Sequence, residues 1–303
     1  MQSPPRLGIY VLLLAMPLFF VSNLVIGRAV THAVEPATLA FWRWLLASLI
    51  LLPFAWRGLA EHRARFIALW RELLALGVLG MLVCGALVYL SLRYTTASNA
   101  ALIYTASAIL IVMLEALFFR ERLSPARIAG ALIGFAGVAV IILHGELSRL
   151  LNLQFNIGDL GMAFCAAAWA IYSVLLKKPD LKALPTLPLF AAIAIAGTLA
   201  VAPFMLYEFF SVGALPHGRE QWIAIVALAL FPSVIAFGLF QLLVKFAGPS
   251  PTGMAMYLLP AYGVALAVVT LGEQLYAYHA IGLALVLAGI TLATNPFRRE
   301  AKA

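Results

Sequence analysis

Charge is what this chain has least of. Only 11% of its 303 residues are Asp, Glu, Lys or Arg, and the acids number 12 in all. A water-soluble globular protein is about a quarter charged, so this sequence cannot cover an ordinary water-facing surface. Cysteine is nearly absent too. Cys84 and Cys165 lie in separate apolar runs, which excludes a disulfide framework and gives no metal-ligand spacing. No HExxH, phosphate-binding glycine loop or GxSxG occurs, and no apolar run carries two carboxylates. Asp159 opens one such run without a second intramembrane Asp, so an aspartate-dyad protease is not indicated. No cofactor and no metal is expected. Polar linkers long enough to join a soluble domain are missing as well.

What is present is apolar: 64% of the residues are hydrophobic. They fall into runs of about 20, the length a helix needs to cross a bilayer. The short alternating segments of a membrane β-barrel are not seen. The spacing predicts ten spans, at 8–28, 36–56, 70–92, 97–118, 125–144, 157–177, 184–208, 221–243, 250–271 and 277–296. The first follows Arg6, is long for a signal-peptide core and has no convincing cleavage site behind it, so it reads as a retained span.

The net charge of +8 is distributed as clusters between the runs, not as a basic domain, and nucleic acid is not an expected partner. With the N-terminus in the cytoplasm, the cytoplasmic segments hold most of the Lys and Arg, including Arg57, Arg63, Arg65, Arg71, Arg120, Arg122, Arg127, Lys177 and Lys178. Arg28, Arg93, Arg149 and Arg219 fall outside. This asymmetry predicts that both termini face the cytoplasm.

The chain also resembles itself. Residues 85–143 match 237–295 at an offset of 152, which sets Glu121 on Glu273, Leu123 on Leu275, Gly130 on Gly282, Gly137 on Gly289 and Arg93 on Lys245. Five spans per half is an odd number, so the second half enters the membrane from the other side. The expected fold is an all-α integral membrane protein of ten transmembrane helices in two inverted five-helix repeats, 1–149 and 150–303.

Ionisable groups within spans are costly and are functional candidates. Arg43 either clamps a substrate carboxylate or makes a fixed contact to helix-end carbonyls or Glu115; its long stem also lets it snorkel between Trp42 and Trp44. Glu115 either couples protons or pairs with Arg120 and Arg122. Polar and aromatic residues near mid-span suggest a cavity. Tyr104, Ser107, Ile111 and Glu115 share a face of the fourth span. Trp169, Tyr172 and Ser173 share one on the sixth, and Gly253, Tyr257 and Pro260 on the ninth. Asn23 and Tyr89 lie deep in the first and third. The candidate substrate-binding residues are thus Asn23, Arg43, Tyr89, Tyr104, Ser107, Trp169, Tyr172, Ser173, Tyr257 and Pro260, with Pro260 expected to break its helix. Gly130 and Gly134 form a GxxxG that lets helices approach closely, within the monomer or a homodimer.

Four stretches carry a resemblance: SNLVIGRAV at 22–30 followed by EPATLAFWRWLLASLILLP at 35–53; ALIYTASAILIVMLEALFFRERLSPARIAGALIGFAGVAVI at 101–141; GDLGMAFCAAAWAIYSVLLKK at 158–178; and MYLLPAYGVALAVVTLGEQLYAYHAIGLALVLAGI at 256–290. In their order and spacing the chain resembles the drug/metabolite transporter superfamily, in its EamA-like ten-helix branch. Two positions depart from that pattern: Met16-Pro17 stands where a Trp-Gly-like pair is frequent, and Ala108 where a proline matching Pro260 is frequent. The resemblance implies a carrier of small metabolites in the cell (inner) membrane. It favours export of amino acids, and the aromatic candidates favour aromatic or bulky neutral ones, as in the YddG-like exporters. Efflux of cationic drugs is the alternative within the class. A membrane enzyme or lipid-handling protein is the alternative outside it.

Overall fold

The computed structural model describes residues 6–31, 33–95, 97–120, 124–146, 156–271 and 274–294. Among them every regular element is helical. In chain order these are α1 (Arg6–Val30), α2 (Pro36–Glu61), the short α3 (Arg63–Ala68), α4 (Trp70–Ser91), α5 (Ala97–Thr105), α6 (Ser107–Phe119), α7 (Pro125–Ile142), α8 (Ile157–Leu175), the short α9 (Pro179–Lys182), α10 (Thr186–Val212), α11 (Arg219–Ala247), α12 (Pro249–Ala255), α13 (Leu258–Leu271) and α14 (Ala277–Thr294). Eight helices or helix pairs are long and apolar enough to cross a membrane: α1, α2, α4, α5 with α6, α7, α8, α10 and α11. The segment Ala277–Ala293 is a shorter apolar helix. Residues Glu121, Leu123, Arg122, Arg149 and Glu273, and the boundary proposed at 149/150, lie outside the described residues.

Helix starts follow local chemistry. Ser124 caps α7 ahead of Pro125, which needs no partner for its missing N–H. Asn156 and Asp159 form a capping box at α8. The start of α2 has no cap of its own, and Glu208 of α10 supplies one. Its carboxylate accepts from the backbone N–H groups of Ala37 (2.9 Å) and Thr38 (2.7 Å) and from the Thr38 hydroxyl.

Two helix pairs build the frame. In the first, α2 runs antiparallel to α10. Gly58 abuts Pro188, Ser48 faces Thr198 (3.3 Å between hydroxyl oxygens), and Thr38 meets Glu208. In the second, α7 crosses α14 so closely that a Cβ on Gly130 would lie 2.6 Å from the Gly289 carbonyl oxygen. A Cβ on Gly137 would lie 2.6 Å from that of Gly282. The glycines therefore join helices within one chain, as small residues do where lipid cannot drive association. Gly134 in the same stripe receives the Tyr257 ring.

Four helical segments are irregular. The middle of α4, Val78–Leu87, and the middle of α11, Ala229–Phe237, are π-helical. Pro232 accounts for the second, since it removes an i→i−4 hydrogen bond. The first has no proline, although Gly80 and Gly85 lie within it. The fourth span breaks at Ala106, between α5 and α6. The ninth breaks at Met256–Tyr257, not at Pro260 as expected. The reason is positional: Pro260 is the third residue of α13, where a backbone N–H would be unsatisfied anyway.

Candidate functional site

A cavity sits where α1, α2, α4, α5, α8, α11 and the α12–α13 break converge. It is lined by Phe20, Asn23, Arg43, Cys84, Val88, Ala100, Ala101, Tyr104, Thr105, Met162, Trp169, Phe237, Met256, Leu259 and Pro260. The free space between them is about 90 Å³. One wall is aromatic. Trp169 meets Phe20 edge-on at 5.9 Å, Phe237 at 5.3 Å and Tyr104 at 6.4 Å between ring centroids. Behind it Tyr172 stacks on Trp169 at 5.3 Å. Such ring contacts are worth about 0.5–1.5 kcal/mol each beyond area burial and hold the wall in one arrangement.

Among the described residues, Arg43 is the only charged one on that lining. It is 1% exposed, which rules out snorkelling, and its partners are neither Glu115 nor helix-end carbonyls. Nε donates to the Ser233 hydroxyl (2.6 Å), and Nη1 donates to Asn23 Oδ1 (2.8 Å) and to the Tyr89 hydroxyl (2.7 Å). Tyr89 in turn donates to Asn23 Oδ1 (2.7 Å). The guanidinium also lies 4.9 Å over the Trp44 ring. The π-helical stretch of α11 delivers Ser233, whose hydroxyl donates to the carbonyl of Leu228, five residues back. The one in α4 delivers Cys84. Such π segments gather at functional sites.

Of the ten candidates, Asn23, Arg43, Tyr104, Trp169 and Pro260 line the cavity. Tyr89 stands just behind, fixing Arg43. Tyr172 and Ser173 lie deeper: the Tyr172 hydroxyl accepts from Gln241 Nε2 (3.1 Å), and Ser173 donates to the Trp169 carbonyl (2.7 Å). Ser107 is buried away from the lining, and Tyr257 packs against Gly134 in a separate core. The four residues Trp169, Tyr104, Ser107 and Tyr257 therefore do not share one site. The helix breaks explain this. A continuous fourth span would put Tyr104, Ser107, Ile111 and Glu115 in line, but the break at Ala106 resets the phase, and Ile111 turns to Gly253 instead. The break at Met256–Tyr257 does the same to Tyr257 and Pro260.

Glu115 is paired, but not with the arginines. It is 3% exposed; Oε1 accepts from Lys177 Nζ (2.7 Å), and Oε2 accepts from the backbone N–H (3.2 Å) and the hydroxyl of Ser250. This ties α6, the end of α8 and the start of α12 together, at the opposite end of α8 from Met162. Cys84 and Cys165 are free, and their thiols donate to the carbonyls of Cys165 and Val83. The sequence reading missed Ser233, Phe20, Phe237, Cys84, Met162 and Met256. Ser233 follows Pro232 inside an apolar run, a legible signal; the phenylalanines have none, because lipid-facing ones look the same.

Comparison with known proteins converges on one family. The EamA-like transporter family model matches residues 7–143 and again 156–295. An uncharacterised transporter of Archaeoglobus fulgidus is 30% identical over 86% of this chain and 88% of its own. An aromatic amino acid exporter, YddG, of Ancylobacter novellus is 28% identical over 92% and 94%. A solved structure, described only as the crystal structure of a protein, superposes with a TM-score of 0.77 at 25% identity, over 98% of this chain and all of that one.

Proposed function

The chain belongs to the EamA-like transporter family and is an integral membrane transporter, and from that premise we propose that it exports amino acids, aromatic or bulky neutral ones favoured, by alternating access through the cavity beside Trp169. One observation carries the reading: a cavity whose wall is a cluster of aromatic rings and whose only charge among the described residues is a guanidinium. Pockets for organic solutes combine such an apolar wall with a few placed polar groups. The exporter from Ancylobacter novellus supports the substrate class.

Alternating access needs two halves that rock, and several contacts support inverted repeats spanning 1–149 and 150–303. Ser48 faces Thr198, its counterpart 150 residues on, as a residue on a two-fold axis faces its mate. Gly130 meets Gly289 while Gly137 meets Gly282, a reciprocal exchange between positions 152 apart. The π-helical segments and the two helix breaks also recur at nearly that offset. The family model matches once per half. The ninth and tenth spans are then the broken Pro249–Leu271 segment and α14. The charge asymmetry supports cytoplasmic termini in the inner membrane.

Cationic-drug efflux fits less well. The described lining holds no acid to receive a cation, and Glu115 is engaged with Lys177. Purified protein in liposomes, offered labelled phenylalanine, leucine and an aromatic organic cation, tests the choice. Flux of the amino acids alone is expected; flux of the cation alone would reverse it.

A further inference from the structure

Arg43 presents an electrostatic problem that its own protein does not solve. A guanidinium stays protonated at any physiological pH. Here it is 99% buried at membrane depth, yet its partners Asn23, Tyr89 and Ser233 are all neutral, and it makes no ion pair with any described residue. Isolated buried charges are the most costly groups a protein can hold, and neutral dipoles offset that only in part. Its hydrogen bonds use Nε and Nη1; Nη2 donates to no described residue. The side chain borders the cavity.

We propose that this cavity is a carboxylate site: Arg43 Nη2 donates to a carboxylate oxygen of the transported solute, whose apolar or aromatic body lies along Phe20, Tyr104, Trp169 and Phe237. The substrate thereby supplies the missing counter-charge. The lining has no group of opposite kind. Among the described lining residues there is no Asp or Glu, so a substrate ammonium finds there only ring faces and neutral oxygens. The site therefore reads the carboxylate and is indifferent to the α-amino group, and its class of ligand is the apolar or aromatic monocarboxylate, amino acids included. This rests on the cavity being the substrate site, and it goes beyond the amino-acid reading by stating which end of the molecule is recognised.

The test uses full-length protein in detergent and four compounds that share a phenyl ring: phenylalanine, 3-phenylpropionate, phenylalaninamide and phenethylamine. Binding is followed by displacement of labelled phenylalanine. The wild type is expected to bind phenylalanine and 3-phenylpropionate within a few-fold of each other. The two compounds lacking a carboxylate should bind at least about 30-fold more weakly, the usual cost of leaving one member of a buried charge pair alone. Arg43→Lys keeps the charge and should retain part of the discrimination; Arg43→Gln should abolish it. Equal binding of phenylalanine and phenylalaninamide would overturn the carboxylate site while leaving amino-acid transport standing. Binding of 3-phenylpropionate with no requirement for an amine would support the site even if amino acids prove not to be the physiological cargo. Preference for phenethylamine would overturn both.

Discussion

At the scale of single residues, environment separates two side chains that the sequence singled out, Trp169 and Glu115. Trp169 is held between Phe20, Phe237, Phe240 and Tyr172, so its ring is fixed and not a loose lid. Trp169→Ala removes the main surface against which a bulky solute rests. Transport in liposomes should fall several-fold at unchanged protein level, and more for tryptophan than for alanine; an equal loss for both would point to a packing defect. Glu115 behaves differently. Its two oxygens are engaged by Lys177 and Ser250, a tie between helices away from the cavity lining. Glu115→Gln should therefore leave the pH dependence of transport unchanged, and a flattened pH profile with normal expression would make it a coupling group. Lys177→Met should be worse for stability than Glu115→Gln, because it strands a buried carboxylate. About 3 kcal/mol is expected, the low end for breaking a buried pair, since Lys177 is itself one-fifth exposed. Thermal unfolding in detergent reads the order of the two variants.

At the scale of elements, the helices were legible and their irregularities were not. Apolar run length located the eight candidate spans among the described residues to within a few residues, because only a helix satisfies its backbone in lipid. Side-chain position around each helix was read from an unbroken 3.6-residue period, and that assumption failed where it mattered. Asn23, Arg43 and Trp169 sit on unbroken helical turns and were placed at the cavity. Ser107, just past one break, and Tyr257, within the other, lie off the lining. The break at Ala106 has no proline and no visible sequence cause. The π-helical stretch in α4 has none either, and Cys84, which it carries, borders the cavity. The α7–α14 crossing was partly legible, since Gly130 and Gly137 carry the repeat match. Gly137→Leu forces a side chain into the backbone of α14, where even a Cβ would lie 2.6 Å from a carbonyl oxygen. It should lower folded yield sharply, whereas Gly263→Ala, with open space around it, should not. Equal yields would mean that the two helices do not pack this closely in the membrane.

At the scale of the whole molecule, the cavity and the Glu115–Lys177–Ser250 cluster are separate: none of the three residues of the cluster lines the cavity. The topology follows from the same picture: a reporter fused after Ala303 should read cytoplasmic, and a readout from the far side would contradict the inverted-repeat account. The central claim is that solute passes through this cavity, and Cys84 on its lining offers a direct test. With Cys165→Ala removing the second thiol, the labelling rate of Cys84 by a small methanethiosulfonate reagent is measured in proteoliposomes, with and without saturating amounts of whichever solute the liposome panel shows to be carried. The account predicts that the carried solute slows labelling and that a non-carried one does not. Labelling at the same rate with the carried solute present would place the transport path elsewhere.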